Sequence, residues 1–367
     1  MAANSTSQPQ EDLFTGAEKL GKMFAALEQQ GVAALGPVAD TLEEYYVKVP
    51  LTLPGTDEKW ESSMKVIKPR AFSPSKVGKW DASSGEQRSH PLIVLFHGGG
   101  FTHGSPESMT RPGREFAEAF GAVAVIPTYR MVRQDVRWPT PQRSAWSVLV
   151  YLSENAAQEF GVTLDEDGHG GGFIVNGFSA GANLTAVTAA ISVFGDTGDP
   201  AEMEHKPLAK PVTGVALTCP SLMTDAMVPE EYRHLYTSLK ENYNAPGLTG
   251  AMVETSRLRL QANSLSRWYS PVNALTSIPK TTDFGVYEPR FPPCYIQVCG
   301  LDPMRDDGVI FGKMLADRGF EMKIDVFSED AHNAWMAMPF PTKSQNPSLG
   351  EGMMAGMEWL LKHYGQL

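Results

Sequence analysis

The sequence has little cysteine, little clustered positive charge and no long apolar run, and each shortage removes a class of function. Three cysteines, Cys219, Cys294 and Cys299, are spread through 367 residues with no C-x-x-C spacing. That pattern supports neither a zinc site nor a disulfide framework, and it fits free thiols buried in a reducing compartment. Lys and Arg total 31 against 42 Asp and Glu, a formal net charge of -11. A nucleic-acid partner is therefore not expected, because phosphate-backbone binding needs basic side chains gathered on one face. No stretch approaches the ~18 consecutive apolar residues of a transmembrane helix. The first ten residues, Met-Ala-Ala-Asn-Ser-Thr-Ser-Gln-Pro-Gln, lack both the basic and the apolar region of a secretory signal, so a cytoplasmic location is expected.

What is present is a substantial apolar fraction, 42%, enough for a large core. Residues 1–12 are polar and read as disordered. From Leu13 an amphipathic helix begins, with Leu13, Ala17, Leu20, Phe24 and Leu27 on one face. It precedes every strand, so it packs on something made later, either as part of a lid or as an ordinary surface helix. Strand-like runs follow at 44–51, 62–68, 91–96, 122–127, 173–177, 213–218, 294–299 and 322–327. Helical patterns at 110–120, 141–159, 180–192, 306–318 and 350–363 alternate with them. Strands that alternate with helices make a mostly parallel, doubly wound α/β sheet, which binds ligands beyond the carboxyl ends of its strands. Residues 221–275 break the rhythm with several short helical patterns and many Met and aromatic residues. The chain divides into a lid helix and first strand (1–60), a first catalytic part (61–220), a lid insertion (221–275) and a second catalytic part (276–367).

The chemistry-bearing motifs fall at strand ends. Gly177-Phe178-Ser179-Ala180-Gly181 lies between a strand and a helical pattern, the setting of a nucleophile elbow. His97-Gly98-Gly99-Gly100-Phe101 directly follows another strand, where glycine N–H groups, with that of Ala180, can surround an oxyanion. His169-Gly170-Gly171-Gly172 has the same letters but precedes a strand, so it is read as a turn at the opposite edge. A serine hydroxyl needs a base, and the base needs a carboxylate to orient it. His332 follows the last strand and Asp302 the one before it, giving the order Ser179, Asp302, His332. Asp306 and Asp307 open a helix and read as charges complementing its dipole. Glu329 and Asp330 are too near His332 in sequence to face it.

Together these residues resemble the hormone-sensitive-lipase type of carboxylesterase, in motif order and spacing over about residues 60–340. The matching residues are His97 to Phe101, Tyr129-Arg130, Trp138-Pro139, Gly177 to Gly181, Ser270-Pro271, Asp302 to Asp306, and His332. The resemblance implies an α/β-hydrolase fold with an eight-stranded sheet, a lid, and hydrolysis of carboxylic esters without cofactor or metal. It assigns the oxyanion donors to Gly99, Gly100 and Ala180. The departures are Phe178, where many members have Asp, Met131 to Gln134 after Tyr129-Arg130, and Gln142-Arg143 in place of an acidic residue. They bear on substrate preference and leave the triad intact.

The expected substrate is a small to medium apolar ester, held by Phe101, Phe178, Leu222, Met223 and Trp335 beneath the lid. The same acyl-enzyme supports two other outcomes, acyl transfer and lactone-forming cyclisation. A non-catalytic small-molecule receptor is the remaining reading, and the presence of His332 weighs against it. Monomer and homodimer are both left open.

Overall fold

The computed structural model describes residues 9–70, 90–162, 164, 171–195, 206–281, 290–333, 336 and 347–363. A long helix α1 (Pro9–Ala34) precedes two strands, β1 (Leu42–Thr52) and β2 (Lys59–Pro69). Repeated alternation follows: β3 (Leu92–Phe96), α2 (Thr110–Phe120), β4 (Val123–Pro127), α3 (Thr140–Phe160), β5 (Phe173–Phe178), α4 (Ala180–Phe194) and β6 (Gly214–Thr218). After the short helices α5 (Ser238–Glu241), α6 (Gly250–Leu260) and α7 (Val272–Leu275), the chain ends with β7 (Cys294–Cys299), α8 (Arg305–Ala316), β8 (Met322–Phe327) and α9 (Pro347–His363).

The eight strands form one sheet in the order β1-β2-β4-β3-β5-β6-β7-β8. β2 runs antiparallel to β1 and β4, and every later neighbour pairs in parallel. The reason is visible in the strand sequences. β3 reads Leu-Ile-Val-Leu-Phe and is buried along its whole length, as a strand covered on both faces must be. Its side chains alternate between two cores. Leu92, Val94 and Phe96 join α3 and α4 residues such as Leu149 and Leu184, while Ile93 and Leu95 join Phe116 of α2 and Leu360 of α9. β8, at the open edge, is only partly buried, and Val326 is exposed.

Helix α4 is buried from Ala180 through Ile191 and reads Ala-Gly-Ala-Asn-Leu-Thr-Ala-Val-Thr-Ala-Ala-Ile. Small residues on all sides let it sink between the sheet and its neighbours. The strands and core helices predicted from hydrophobic period are all present, with ends moved by three residues or fewer. One boundary expectation fails: α1 begins at Pro9, inside the stretch read as disordered. Proline is well suited to a helix's first turn, where the missing N–H would have had no intrahelical partner. Residues 1–8, the side chain of Leu13, and His169-Gly170 of the second Gly-rich run lie outside the described residues. Gly171 and Gly172 lead into the N-terminal end of β5, the end opposite Ser179. No helix among the described residues is long and apolar enough to cross a membrane.

The segment between β6 and β7 is tied down by side chains from the sheet layer. Asn183 of α4 donates from Nδ2 to the carbonyls of Ser221 and Tyr269, both at 2.9 Å. One amide thus holds the two ends of the excursion together. Asp306 Oδ2 accepts from Thr237 N (2.7 Å) and Ser238 N (2.6 Å), and Asp307 Oδ2 from Leu222 N (2.7 Å) and Met223 N (2.8 Å). The two acids do sit in the first turn of α8, but both are buried and bind the excursion. Their pairing with distant backbone replaces the simpler reading as helix-dipole charges.

Candidate active site

Ser179 stands between β5 and α4 with φ 55° and ψ -118°, a left-handed conformation that non-glycine residues rarely adopt. The turn is held by Ser179 N donating to Thr218 O at 2.9 Å. Its flanking glycines are required by contact. A Cβ on Gly177 would lie 2.2 Å from Gly181 O, and one on Gly181 would lie 2.0 Å from Phe96 O. The sharp turn lifts the hydroxyl above the carboxyl edge of the sheet.

Two loops at neighbouring strand ends meet that hydroxyl. His332 places Nε2 3.0 Å from Ser179 Oγ and Nδ1 2.7 Å from Asp302 Oδ2. The other Asp302 oxygen accepts from Met304 N at 2.8 Å, so the carboxylate is oriented from two sides. Asp302 is 0% exposed, His332 7% and Ser179 8%. Burial by itself would push the His332 imidazole toward its neutral form, but the adjoining Asp302 carboxylate outweighs it and raises the pKa above the ordinary value. The Phe178 ring packs beside the His332 ring, with centroids 5.0 Å apart.

The Gly-rich loop after β3 closes the other side. Gly99 has φ 113°, and a Cβ there would fall 2.0 Å from His103 O. His103 N and Thr102 N both donate to Gly99 O, at 3.1 and 3.0 Å, which curls the loop so that Gly99 and Gly100 line the cavity beside Ala180. Beneath it, His97 stacks on Tyr129 with centroids 4.5 Å apart and is driven down to about 4 by burial. His103, also lowered to about 4 chiefly by burial, packs against Phe24 of α1 in a tilted ring contact, centroids 4.3 Å apart. Both are uncharged at neutral pH.

Cys219 lies with Asp302 and His332, their ligand atoms within 4.8 Å of one another. Burial pushes the thiol pKa well up, and Asp302 and His332 already engage each other, so the trio is poorly suited to a metal ion.

The cavity above Ser179 measures about 310 Å³. Of the residues expected to hold substrate, Phe101 and Phe178 are on its wall. Leu222 and Met223 are not; both are fully buried in the main core, drawn inward by the bonds from their N–H groups to Asp307. Trp335 lies outside the described residues. Other parts of the wall include Leu20 and Phe24 of α1, Met304 beside Asp302, Tyr269, and α6 residues such as Met252, Val253, Ser256 and Arg257. Leu20 and Phe24 belong to the predicted apolar face of α1. Met304 was within reach of the sequence, two residues past the acid. Nothing in the sequence marks which face of α6 meets the cavity.

The family model for the alpha/beta hydrolase fold matches residues 93–336, a span that contains all three members of the Ser–His–Asp constellation. The chain belongs to the α/β-hydrolase family. Its hormone-sensitive-lipase character is carried by the same Gly-rich loop and elbow. Among curated members, esterase LipI of Mycobacterium tuberculosis is 29% identical over 247 residues, 67% of this chain and 66% of that protein. Versiconal hemiacetal acetate esterase of Dothistroma septosporum is 25% identical over 280 residues, 76% of this chain and 75% of that one. The match to LipI thus covers slightly under two thirds of that protein's length. Among solved α/β hydrolases, vibralactone cyclase superposes with a TM-score of 0.71 at 22% identity, covering 100% of this chain and 93% of that one.

Proposed function

We propose that this α/β hydrolase is a serine carboxylesterase acting on small to medium, largely apolar esters through an acyl-Ser179 intermediate. The observation that carries the reading is the relay from Ser179 Oγ through His332 to Asp302, at 3.0 and 2.7 Å, opening onto a largely apolar cavity. His332 Nε2 takes the hydroxyl proton as Oγ bonds to the ester carbonyl carbon, and Asp302 holds the imidazole in the tautomer that leaves Nε2 free to accept. The carbonyl oxygen becomes an oxyanion facing the N–H groups of Gly99, Gly100 and Ala180, where each donor is worth about 10²–10³ in rate. On collapse the C–O bond to the alcohol breaks, and His332 returns its proton to the departing oxygen. Water then repeats the sequence on the acyl-enzyme and frees the acid.

In this reading α1 and the 221–275 segment form the lid, and Leu20, Phe24, Phe101 and Met252 provide the apolar surface for the substrate. No step calls for a metal or cofactor. The test compares wild type with Ser179→Ala, using a fluorophosphonate probe and p-nitrophenyl esters of increasing acyl length. Labelling and turnover should both vanish in the variant. Labelling of wild type without turnover would shift the reading to acyl transfer or cyclisation, and absence of labelling would overturn it.

A further inference from the structure

Most of the cavity wall is apolar, but one corner is not. There α6 brings Arg257 to the wall beside Tyr269 and Ser221. The guanidinium interacts with the Tyr269 hydroxyl and is anchored through Nη2. Its Nη2 donates to Met223 O at 2.5 Å and to Tyr236 Oη at 3.2 Å, both uncharged oxygens. Nε is buried without a hydrogen-bond partner among the described residues. Among the described residues no carboxylate lies within salt-bridge reach of this group, whereas Arg114, Arg130, Arg233 and Arg305 all have one.

A half-buried cation without a counter-charge is costly unless something nearby compensates. Asp307 contributes at longer range, and its negative charge is one reason why Arg257 stays firmly protonated despite burial. That carboxylate is already occupied by the N–H groups of Leu222 and Met223. Tyr269, whose pKa burial raises to about 12, keeps its hydroxyl proton and remains a donor. Arg259 also reaches the cavity and adds to its positive potential. The corner therefore offers donors and positive charge in the same cavity as Ser179, a combination suited to a carboxylate that accepts from the guanidinium and the tyrosine hydroxyl together.

We propose that Arg257, with the Tyr269 hydroxyl, forms a carboxylate-binding subsite, and that the preferred substrates are esters carrying a second, ionised carboxyl group, such as half-esters of dicarboxylic acids. The proposal rests on Ser179 being the esterase nucleophile, and its test is built so that the two can fail separately. The purely structural alternative gives Arg257 the task of bracing α6 against Met223 and Tyr236, and it predicts no discrimination between charged and uncharged esters.

The experiment measures kcat/KM for a matched pair, mono-p-nitrophenyl glutarate and p-nitrophenyl pentanoate, in wild type, Arg257→Met and Arg257→Lys. The readout is the ratio between the two esters within each protein, so a folding defect that lowers both cancels. Wild type should favour the anionic ester tenfold or more. Arg257→Met should lose at least tenfold in that ratio through KM, and Arg257→Lys should fall between. A ratio that is unchanged in Arg257→Met, or a wild-type preference for the neutral ester, overturns the proposal. Calorimetric titration with glutarate reads the subsite without turnover. Binding to wild type that weakens tenfold or more in Arg257→Met upholds the subsite even if neither ester is hydrolysed, and that second result would count against the esterase reading alone. No glutarate binding to wild type overturns the subsite.

Discussion

Replacing Asp302 by Asn should disable the site through a proton on the wrong nitrogen, while leaving the fold in place. Asp302 Oδ1 accepts from Met304 N at 2.8 Å and Oδ2 faces His332 Nδ1 at 2.7 Å. In Asp302→Asn the amide is nearly isosteric, and the Met304 N–H selects its orientation. The amide oxygen must stay toward Met304, because turning the NH₂ there would set donor against donor. The NH₂ is thereby directed at His332 Nδ1, which must accept, and the ring proton moves to Nε2. Nε2 then has no lone pair for the Ser179 proton 3.0 Å away. The corresponding change in the chymotrypsin-type triad lowers kcat by about 10⁴, close to 5.5 kcal/mol of barrier, and a loss of that order is expected here. The pH profile gives an independent sign. Burial lowers the His332 pKa and the Asp302 carboxylate raises it, with the carboxylate dominant. The base works when neutral, so wild-type kcat/KM should fall with decreasing pH along an acid limb above the ordinary imidazole value of about 6.5. Removing the negative charge leaves burial in control, so the limb of the residual activity should move to lower pH. The assay is p-nitrophenyl ester turnover across pH, with a thermal melt to establish folding. A folded Asp302→Asn protein within tenfold of wild type, or an acid limb that does not move, would refute the reasoning.

Gly99→Ala should reduce kcat by at least 10², as for loss of an oxyanion donor, because the new Cβ would fall 2.0 Å from His103 O at a residue with φ 113°. Steady-state kinetics and fluorophosphonate labelling rates read this directly, and wild-type rates in a folded variant would count against the loop's role. Asp307, whose pKa burial raises to about 7 against the pull of Arg257 and two backbone N–H groups, should make stability pH-dependent. With the folded-state value above the unfolded one, its contribution is complete below about 4 and is lost as pH rises through 7. Asp307→Asn should flatten that part of the stability curve in urea melts, and an unchanged slope would refute the assignment. Asp307→Ala, which strands two buried N–H groups, should cost about 1–3 kcal/mol for each.

How much could be read from the sequence depended on whether the determining contacts were local. Strands such as β3 and β4 announce themselves because a strand buried on both faces needs an unbroken apolar run. The Ser–Asp–His constellation is legible for a topological reason: β5, β7 and β8 all deliver their following residues to the same sheet edge. The glycines at 177 and 99 are legible because each is forced by a close approach within its own turn, and Gly181 because its motif places it against the neighbouring strand end at Phe96. The wall of the cavity is a different matter. Leu222 and Met223 carry the right chemistry for a substrate surface, yet their backbone N–H groups are claimed by Asp307, 85 and 84 residues away respectively, and that turns them into the core. Arg257 fails in the opposite direction, as a charged residue on a helix whose weak amphipathicity gives no inward face from sequence. Its position is set by Ser256 Oγ bonding Gly100 O at 3.1 Å and by Asn183 gathering Ser221 and Tyr269, contacts that span 156, 38 and 86 residues. The reacting atoms are thus fixed by local turns on a regular sheet, whereas the surface that chooses the substrate is fixed by long-range bonds to an irregular excursion. Substitutions in 221–275 can therefore change what is bound while the relay at Ser179 stays as it is, and the proposed Arg257 subsite lies on the side of that division where the sequence alone is silent.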